Sequence, residues 1–310
     1  MRLPPRVTLV EVGPRDGLQD LPSPPGTADK IAFIDRLSEA GVPVVEIGAF
    51  VHPRRVPAMA DTEAVALGIA RRPGTRYSAL VPNLRGLSRA LGAGLREVAV
   101  FGAASESFSL QNINHGIADA FARFSDLIRA AGAAGVGVRG YLSTAFGCPY
   151  EGDVPAARVA ELTDELLQMG VFEVAVSDTI GVAHPGQVWR VLEALQARVP
   201  LDRVAMHFHD SRGTALANVL AALQAGVATF DASCGGLGGC PYAPGASGNL
   251  ATEDLVYMLD GLGIETGVSL RGLVAASTFI APHVGGDLPS RYLKASQAAD
   301  RRRQDGRPDA

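Results

Sequence analysis

Cysteine is scarce in this chain: Cys148, Cys234 and Cys240 are the only three. Their spacing makes neither a zinc-type set nor a disulfide framework, so a reducing compartment is expected. No run of 18 apolar residues occurs, and Met1 to Arg6 lead straight into Val7–Val12 without an apolar leader segment. The expectation is a cytoplasmic, soluble protein with no membrane partner. Only 19% of residues are charged and the net charge is −4, which leaves no basic footprint for nucleic acid. A phosphate-bearing small ligand needs only a local patch. No G-x-G-x-x-G follows the first apolar run, so an open doubly wound sheet becomes the second choice of fold.

What is present is a large apolar fraction, 47%, in repeated units. Eight β-branched runs read as strands: 7–13, 44–48, 76–81, 97–101, 136–142, 172–177, 203–208 and 229–233. Helical patterns lie between them. Thr27 is the expected N-cap of the first, and others follow Asn83, Ala118, Pro155, Pro185, Gly213 and Thr252. Pro155 and Pro185 suit first-turn positions, and Gly41, Gly94, Gly170 and Gly226 suit helix ends. The pattern predicts one α/β domain, a single (β/α)8 TIM barrel over 1–285. Residues 286–310 form a C-terminal helical extension, partly disordered from Ala299 onward.

In such a barrel, chemistry sits at the C-terminal ends of the strands, and the unusual polar residues fall there. Arg15, Asp16 and Gln19 follow strand 1, and Glu46 interrupts apolar strand 2. Ser143 and Thr144 follow strand 5, Asp178 and Thr179 follow strand 6, and strand 7 ends in His207-Phe-His209-Asp210. His207 and His209 are two apart on a strand, so they share a face. With Asp16 two strands away around a closed barrel, they suit a divalent Lewis acid, Mg²⁺ or Mn²⁺, with Zn²⁺ also open. Glu46 reads as the partner of Arg15, which is compatible with both a structural and a functional part. Asp178 is either a loop or capping carboxylate or a catalytic one, and Cys148 reads as structural.

The segment 235–249 holds six glycines around Cys240 and ends in Asn249, after which Thr252-Glu253-Asp254 open a helix. It suits neither helix nor strand interior. Glycine-rich backbone and a nearby cation are what would lower the pKa of its thiol. Together these residues point to metal-assisted acid–base chemistry on an oxygenated carbon substrate.

Several motifs carry a resemblance. They are Val10-Glu-Val-Gly-Pro-Arg-Asp-Gly-Leu-Gln19, Phe101-Gly-Ala-Ala-Ser-Glu106, Asn112-Ile-Asn114 and Val138-Arg-Gly-Tyr141. Gly147-Cys-Pro-Tyr-Glu-Gly152, Asp178-Thr-Ile-Gly-Val182, His207-Phe-His-Asp210 and Gly236-Leu-Gly-Gly-Cys-Pro-Tyr242 continue it. The chain resembles the 3-hydroxy-3-methylglutaryl-CoA lyase family, of the DRE-TIM metallolyases. The resemblance implies cleavage of that thioester to acetyl-CoA and acetoacetate, in leucine or branched-chain acyl catabolism, by a homodimer. It implies metal ligands at Asp16, His207, His209 and Asn249, and an enolate-stabilising Arg15 positioned by Glu46. It further implies Cys240 as a catalytic thiol on a closing loop, Asp178 and His207 as acid–base groups, and Gln19, Asn112 and Thr179 as substrate contacts.

The sequence departs from that family at Ala49, His115-Gly116, Ser143-Thr144, Asp210-Ser-Arg-Gly-Thr214 and Cys234-Gly235. None is a ligand, and several border the substrate, so a longer or differently branched 3-hydroxyacyl thioester is the natural variation. A Claisen-type synthase on the same barrel is the competing chemistry. Its relatives usually carry extra C-terminal domains and lack the cysteine loop. A metallohydrolase and a non-catalytic scaffold stand further off.

Overall fold

The apolar runs fold as eight parallel strands: β1 Thr8–Glu11, β2 Val44–Ala49, β3 Arg76–Leu80, β4 Glu97–Ala103, β5 Gly137–Ser143, β6 Glu173–Asp178, β7 Val204–Phe208 and β8 Thr229–Ala232. They pair in chain order, and β1 pairs with β8 to close a barrel. The computed structural model describes residues 3–239 and 248–304. Parallel strands covered by helices are buried on both faces, which is why these runs are apolar throughout rather than alternating. Leu9, Val45, Val98, Val174, Ala205 and Phe230 are all fully buried.

Among the described residues, eleven α-helices occur in order: α1 Thr27–Glu39, α2 Thr62–Gly68, α3 Leu84–Gly92, α4 Glu106–Ile113, α5 Ile117–Ala133, α6 Ala156–Met169, α7 Pro185–Gln196, α8 Ala215–Ala225, α9 Thr252–Gly261, α10 Leu270–Ile280 and α11 Arg291–Gln304. Asn83 caps α3 by accepting from the Gly86 N–H, and Pro185 sits in the first turn of α7. Gly170 and Gly226 end α6 and α8 with φ of 107° and 102°, a region closed to most side chains.

Several expected boundaries move. Gly26, not Thr27, is the extended residue before α1; the Thr27 hydroxyl instead donates to Asp61. Pro155 is the residue before α6 rather than inside its first turn. Helices α2 and α4 escape the sequence pattern because each is only two turns long.

In the C-terminal extension, residues 299–304 are helical, as the end of α11, and residues 305–310, the rest of the tail expected to be disordered, lie outside the described residues. The cause lies at the other end of that helix. Asp254, in the first turn of α9, accepts from the Ser290 hydroxyl and from the backbone N–H groups of Arg291 and Tyr292. One carboxylate thus satisfies the donors that open α11, and Leu293 is buried against the barrel. Among the described residues, no helix is long and apolar enough to cross a membrane.

Candidate active site

The chain leaves β1 in a tight π-helical turn, Gly13–Gly17. The Val12 carbonyl accepts from three successive N–H groups, those of Arg15, Asp16 and Gly17. This winding sets Arg15 and Asp16 over the C-terminal end of the barrel. Glycine is required at position 17, where a Cβ would come within 2.8 Å of Leu237 Cβ.

At the end of β7, His207 and His209, the latter just past the strand, point to the same side, their rings 5.2 Å apart. Asp16 completes the group: one ligand atom from each of Asp16, His207 and His209 lies within 4.8 Å of the others. Asn249 arrives from the far side. The chain returning from the glycine-rich segment runs between the ends of β7 and β8, with Asp210 N–H donating to the Gly248 carbonyl and Leu250 N–H to the Phe208 carbonyl. His209 and Asn249 therefore face each other in an antiparallel bridge, and Asn249 Nδ2 donates to Asp16 Oδ2 at 2.8 Å.

The donor set fits a divalent cation. Asn249 Oδ1 is buried without a hydrogen-bond partner, a costly state for a polar atom that a bound ion relieves, and His209 turns Nε2 towards Asp16 Oδ2, 4.0 Å away. Burial, reinforced by His207, pushes the His209 imidazolium down to about 4, so the ring is neutral and able to ligate at physiological pH. Burial opposes ionisation of Asp16, yet Arg15 and the two histidines hold its carboxyl well below the usual carboxylate range. Two imidazoles, a carboxylate and an amide oxygen make a mixed N/O set without thiolate.

Arg15 is locked beside this cluster. Its Nε donates to Glu46, and Nη1 donates to Asp16. Its guanidinium also lies 5.4 Å from the centre of the Tyr141 ring. Burial pushes the Asp178 carboxyl up to about 6, against the Val182 and Ala183 N–H groups that it accepts at 2.9 and 3.1 Å. Asp178 thus caps the loop after β6, not a helix.

The remaining expected residues are more dispersed. The Thr179 hydroxyl accepts from the Thr144 N–H, tying the β5 and β6 loops together. Gln19 is half-buried two residues past the π-turn and hydrogen-bonds Asp20. Asn112 is exposed on the last turn of α4, outside the Asp16–His207–His209 group. Cys240 lies outside the described residues. Cys148 is buried and accepts from the Ser105 hydroxyl, in a structural setting.

Sequence reading passed over three residues that the barrel brings here. Asp231 on β8 accepts from His207 Nδ1 at 3.2 Å, and Arg139 on β5 grips Asp231 with both Nη groups. Tyr141 lies between the guanidinium groups of Arg15 and Arg139. A charged residue inside an apolar strand was the available signal, the same one that singled out Glu46.

Fold and site together define a (β/α)8 barrel with a divalent-metal-type cluster and a locked arginine at its C-terminal mouth. The chain belongs to the HMGL-like family, whose model matches residues 6–280. It is 52% identical to the mitochondrial hydroxymethylglutaryl-CoA lyase of Gallus gallus over 96% of this chain and 99% of the relative. It is also 52% identical to a 3-hydroxy-3-isohexenylglutaryl-CoA/hydroxymethylglutaryl-CoA lyase of Pseudomonas aeruginosa, over 95% of this chain and 98% of that one. The crystal structure of a hydroxymethylglutaryl-CoA lyase from Pseudomonas aeruginosa superposes with a TM-score of 0.94 at 52% identity, covering 96% of this chain and 99% of the other.

Proposed function

We propose that this protein is a divalent-metal-dependent carbon–carbon lyase that cleaves 3-hydroxy-3-methylglutaryl-CoA to acetyl-CoA and acetoacetate. One observation carries the reading: Asp16, His207, His209 and Asn249 converge beside the Arg15–Glu46 pair, in a chain whose relatives of 52% identity are lyases of this name. Oxygen and imidazole donors without thiolate favour Mg²⁺ or Mn²⁺ over Zn²⁺. When bound by these four residues, the ion supplies Lewis-acid polarisation of the oxygenated substrate.

The residues divide the rest of the work. Asp178, with its carboxyl raised towards neutrality, takes the proton of the tertiary hydroxyl through water. His207, the other expected base, has Nδ1 on Asp231 and its second nitrogen in the metal group, so it has no free lone pair for that step. As that oxygen becomes the ketone of acetoacetate, the carbon–carbon bond breaks and its electron pair passes into the thioester as an enolate. Arg15 turns its N–H donors to that developing charge, held in one orientation by Glu46 so that little reorganisation is needed. Cys240 returns a proton to the enolate carbon, giving acetyl-CoA. Gln19, Asn112 and Thr179 belong to the surrounding substrate surface.

A second reading concerns the acyl group alone. The Pseudomonas relative's name includes the isohexenyl substrate, and Ala49 and Thr144, where this chain departs from the better-known lyases, are both buried at strand ends of the mouth. A longer 3-alkyl chain is then accepted besides methyl. Incubation with Mg²⁺ or Mn²⁺ and a panel of 3-hydroxy-3-alkylglutaryl thioesters, with chromatography of the products, tests both readings. Acetyl-CoA from the methyl substrate is the expected result. Acetyl-CoA from none of the panel, with substrate intact, overturns the lyase assignment.

A further inference from the structure

Two charged side chains, Asp231 and Arg139, are stacked against His207 inside the barrel below the cluster, and the activity proposed above gives neither a part. Asp231 on β8 and His207 on β7 are direct partners in the strand register, so their side chains emerge side by side on the inner face. Asp231 is 1% exposed, and its Oδ2 lies 3.2 Å from His207 Nδ1. Arg139 on β5, 2% exposed, reaches across the interior and holds both Asp231 oxygens, Nη2 to Oδ1 at 2.7 Å and Nη1 to Oδ2 at 3.2 Å. Its Nε donates to Glu173 at 2.8 Å, and its guanidinium packs 4.9 Å from the Tyr141 ring centre. Tyr141 in turn meets the His207 ring edge-on at 6.4 Å.

We propose that Asp231 is a positioning residue for the metal centre, with Arg139 as its clamp: the pair fixes the ring and tautomer of His207 so that Nε2 is left free as a ligand. A neutral imidazole carries one proton and can place it on either nitrogen. A carboxylate at Nδ1 keeps the proton there, because an acceptor is what that oxygen offers. Without it the ring is free to carry the proton on Nε2, which removes a lone pair from the cluster. The bidentate grip of Arg139 leaves Asp231 one orientation, and the edge contact with Tyr141 limits rotation of the imidazole. The alternative is that Arg139 and Asp231 simply plug the barrel floor, as a buried ion pair that neutralises itself. The two accounts differ in what Asp231 does to metal affinity.

The inference rests on the metal set proposed above, and its test separates the two. Manganese binding is followed by EPR for the whole chain and for the Asp231→Asn and Glu173→Gln variants. Asp231→Asn keeps the size and most of the packing but presents no carboxylate, and Mn²⁺ binding is expected to weaken by about tenfold to a hundredfold. Glu173→Gln loosens the same Arg139 cluster without touching His207, and is expected to lower Tm while leaving Mn²⁺ affinity unchanged. A folded Asp231→Asn protein with parental Mn²⁺ affinity overturns the proposal. Equal weakening by the two variants overturns it as well, since a plug would behave that way. If Asp231→Asn does not fold, nitrogen NMR of the chelator-treated parent decides: Nδ1–H with Nε2 unprotonated at His207 supports the proposal, and an Nε2–H tautomer refutes it. Failure of the parent to bind Mn²⁺ would sink the metal reading, while the tautomer measurement would still judge this one.

Discussion

Asn249 Nδ2 donates to Asp16 Oδ2 at 2.8 Å, although the two residues are 233 positions apart in the chain. This one contact joins the turn after β1 to the segment returning from the glycine-rich stretch, and it leaves Asn249 Oδ1 buried without a partner. The orphaned oxygen is the clearest sign that the cluster is built for a cation.

Removing that oxygen should therefore be felt by the ion. Asn249→Ala is expected to weaken Mn²⁺ binding by at least about tenfold, read by calorimetry on the metal-free protein. Parental affinity in the variant would mean that Asn249 is not a ligand.

The approach of the glycine-rich segment to this corner depends on a missing side chain. At Gly238 φ is +110°, and a Cβ there would lie 2.7 Å from Asn249 Nδ2 and 3.3 Å from Gly17 Cα. Gly238→Ala both strains the backbone and pushes Asn249 off Asp16. A stability loss of about 1–3 kcal/mol is expected, with weaker metal binding alongside it. Chemical denaturation that matches the parent would contradict this packing.

Glu46 acts on the reaction only through Arg15. Glu46→Gln withdraws the carboxylate that orients the guanidinium, and kcat/KM is expected to fall by about tenfold to a hundredfold. The metal affinity should be little changed, because Glu46 lies outside the ligand group. Steady-state kinetics with unaltered kcat/KM would remove Glu46 from the account.

A pH effect on stability follows from Glu11. Its carboxylate is fully buried and accepts from the Gly13 and Cys234 N–H groups and the Thr252 hydroxyl. Burial pushes it up to about 7, from 4.5. The folded protein thus holds this proton more tightly than the unfolded chain does, so the contribution is fully present below pH 4.5. It is lost as pH rises through about 7. Glu11→Gln has no such proton, so its Tm relative to the parent is expected to climb between those limits. A Tm difference independent of pH would show that Glu11 titrates normally.

Much of the fold was legible because parallel barrel strands are buried on both faces and therefore stand out as β-branched runs. All eight appear within a few residues of their expected ends. The helix starts were less legible at Thr27 and Pro155, where a good capping or first-turn residue sits one position from the real boundary. At the site, Arg15, Asp16, Glu46, His207 and His209 were marked by polarity in apolar surroundings. Asp231 and Arg139 carried the same mark, yet β8 is only four residues long and its acid reads as the end of a short run. Their partnership crosses the barrel interior, a relation between β5 and β8 that no local pattern encodes. The place of Asn249 is equally non-local, since it follows from the bridge to His209.

The central claim is that one metal cluster serves one lyase reaction, and a paired titration tests it most directly. Metal-free protein is titrated with Mn²⁺, and each sample is measured both for bound ion by EPR and for acetyl-CoA released from 3-hydroxy-3-methylglutaryl-CoA. The two curves are expected to coincide, with no product before metal is added. Full turnover in the presence of excess chelator, or saturation with Mn²⁺ that yields no acetyl-CoA, would contradict the account.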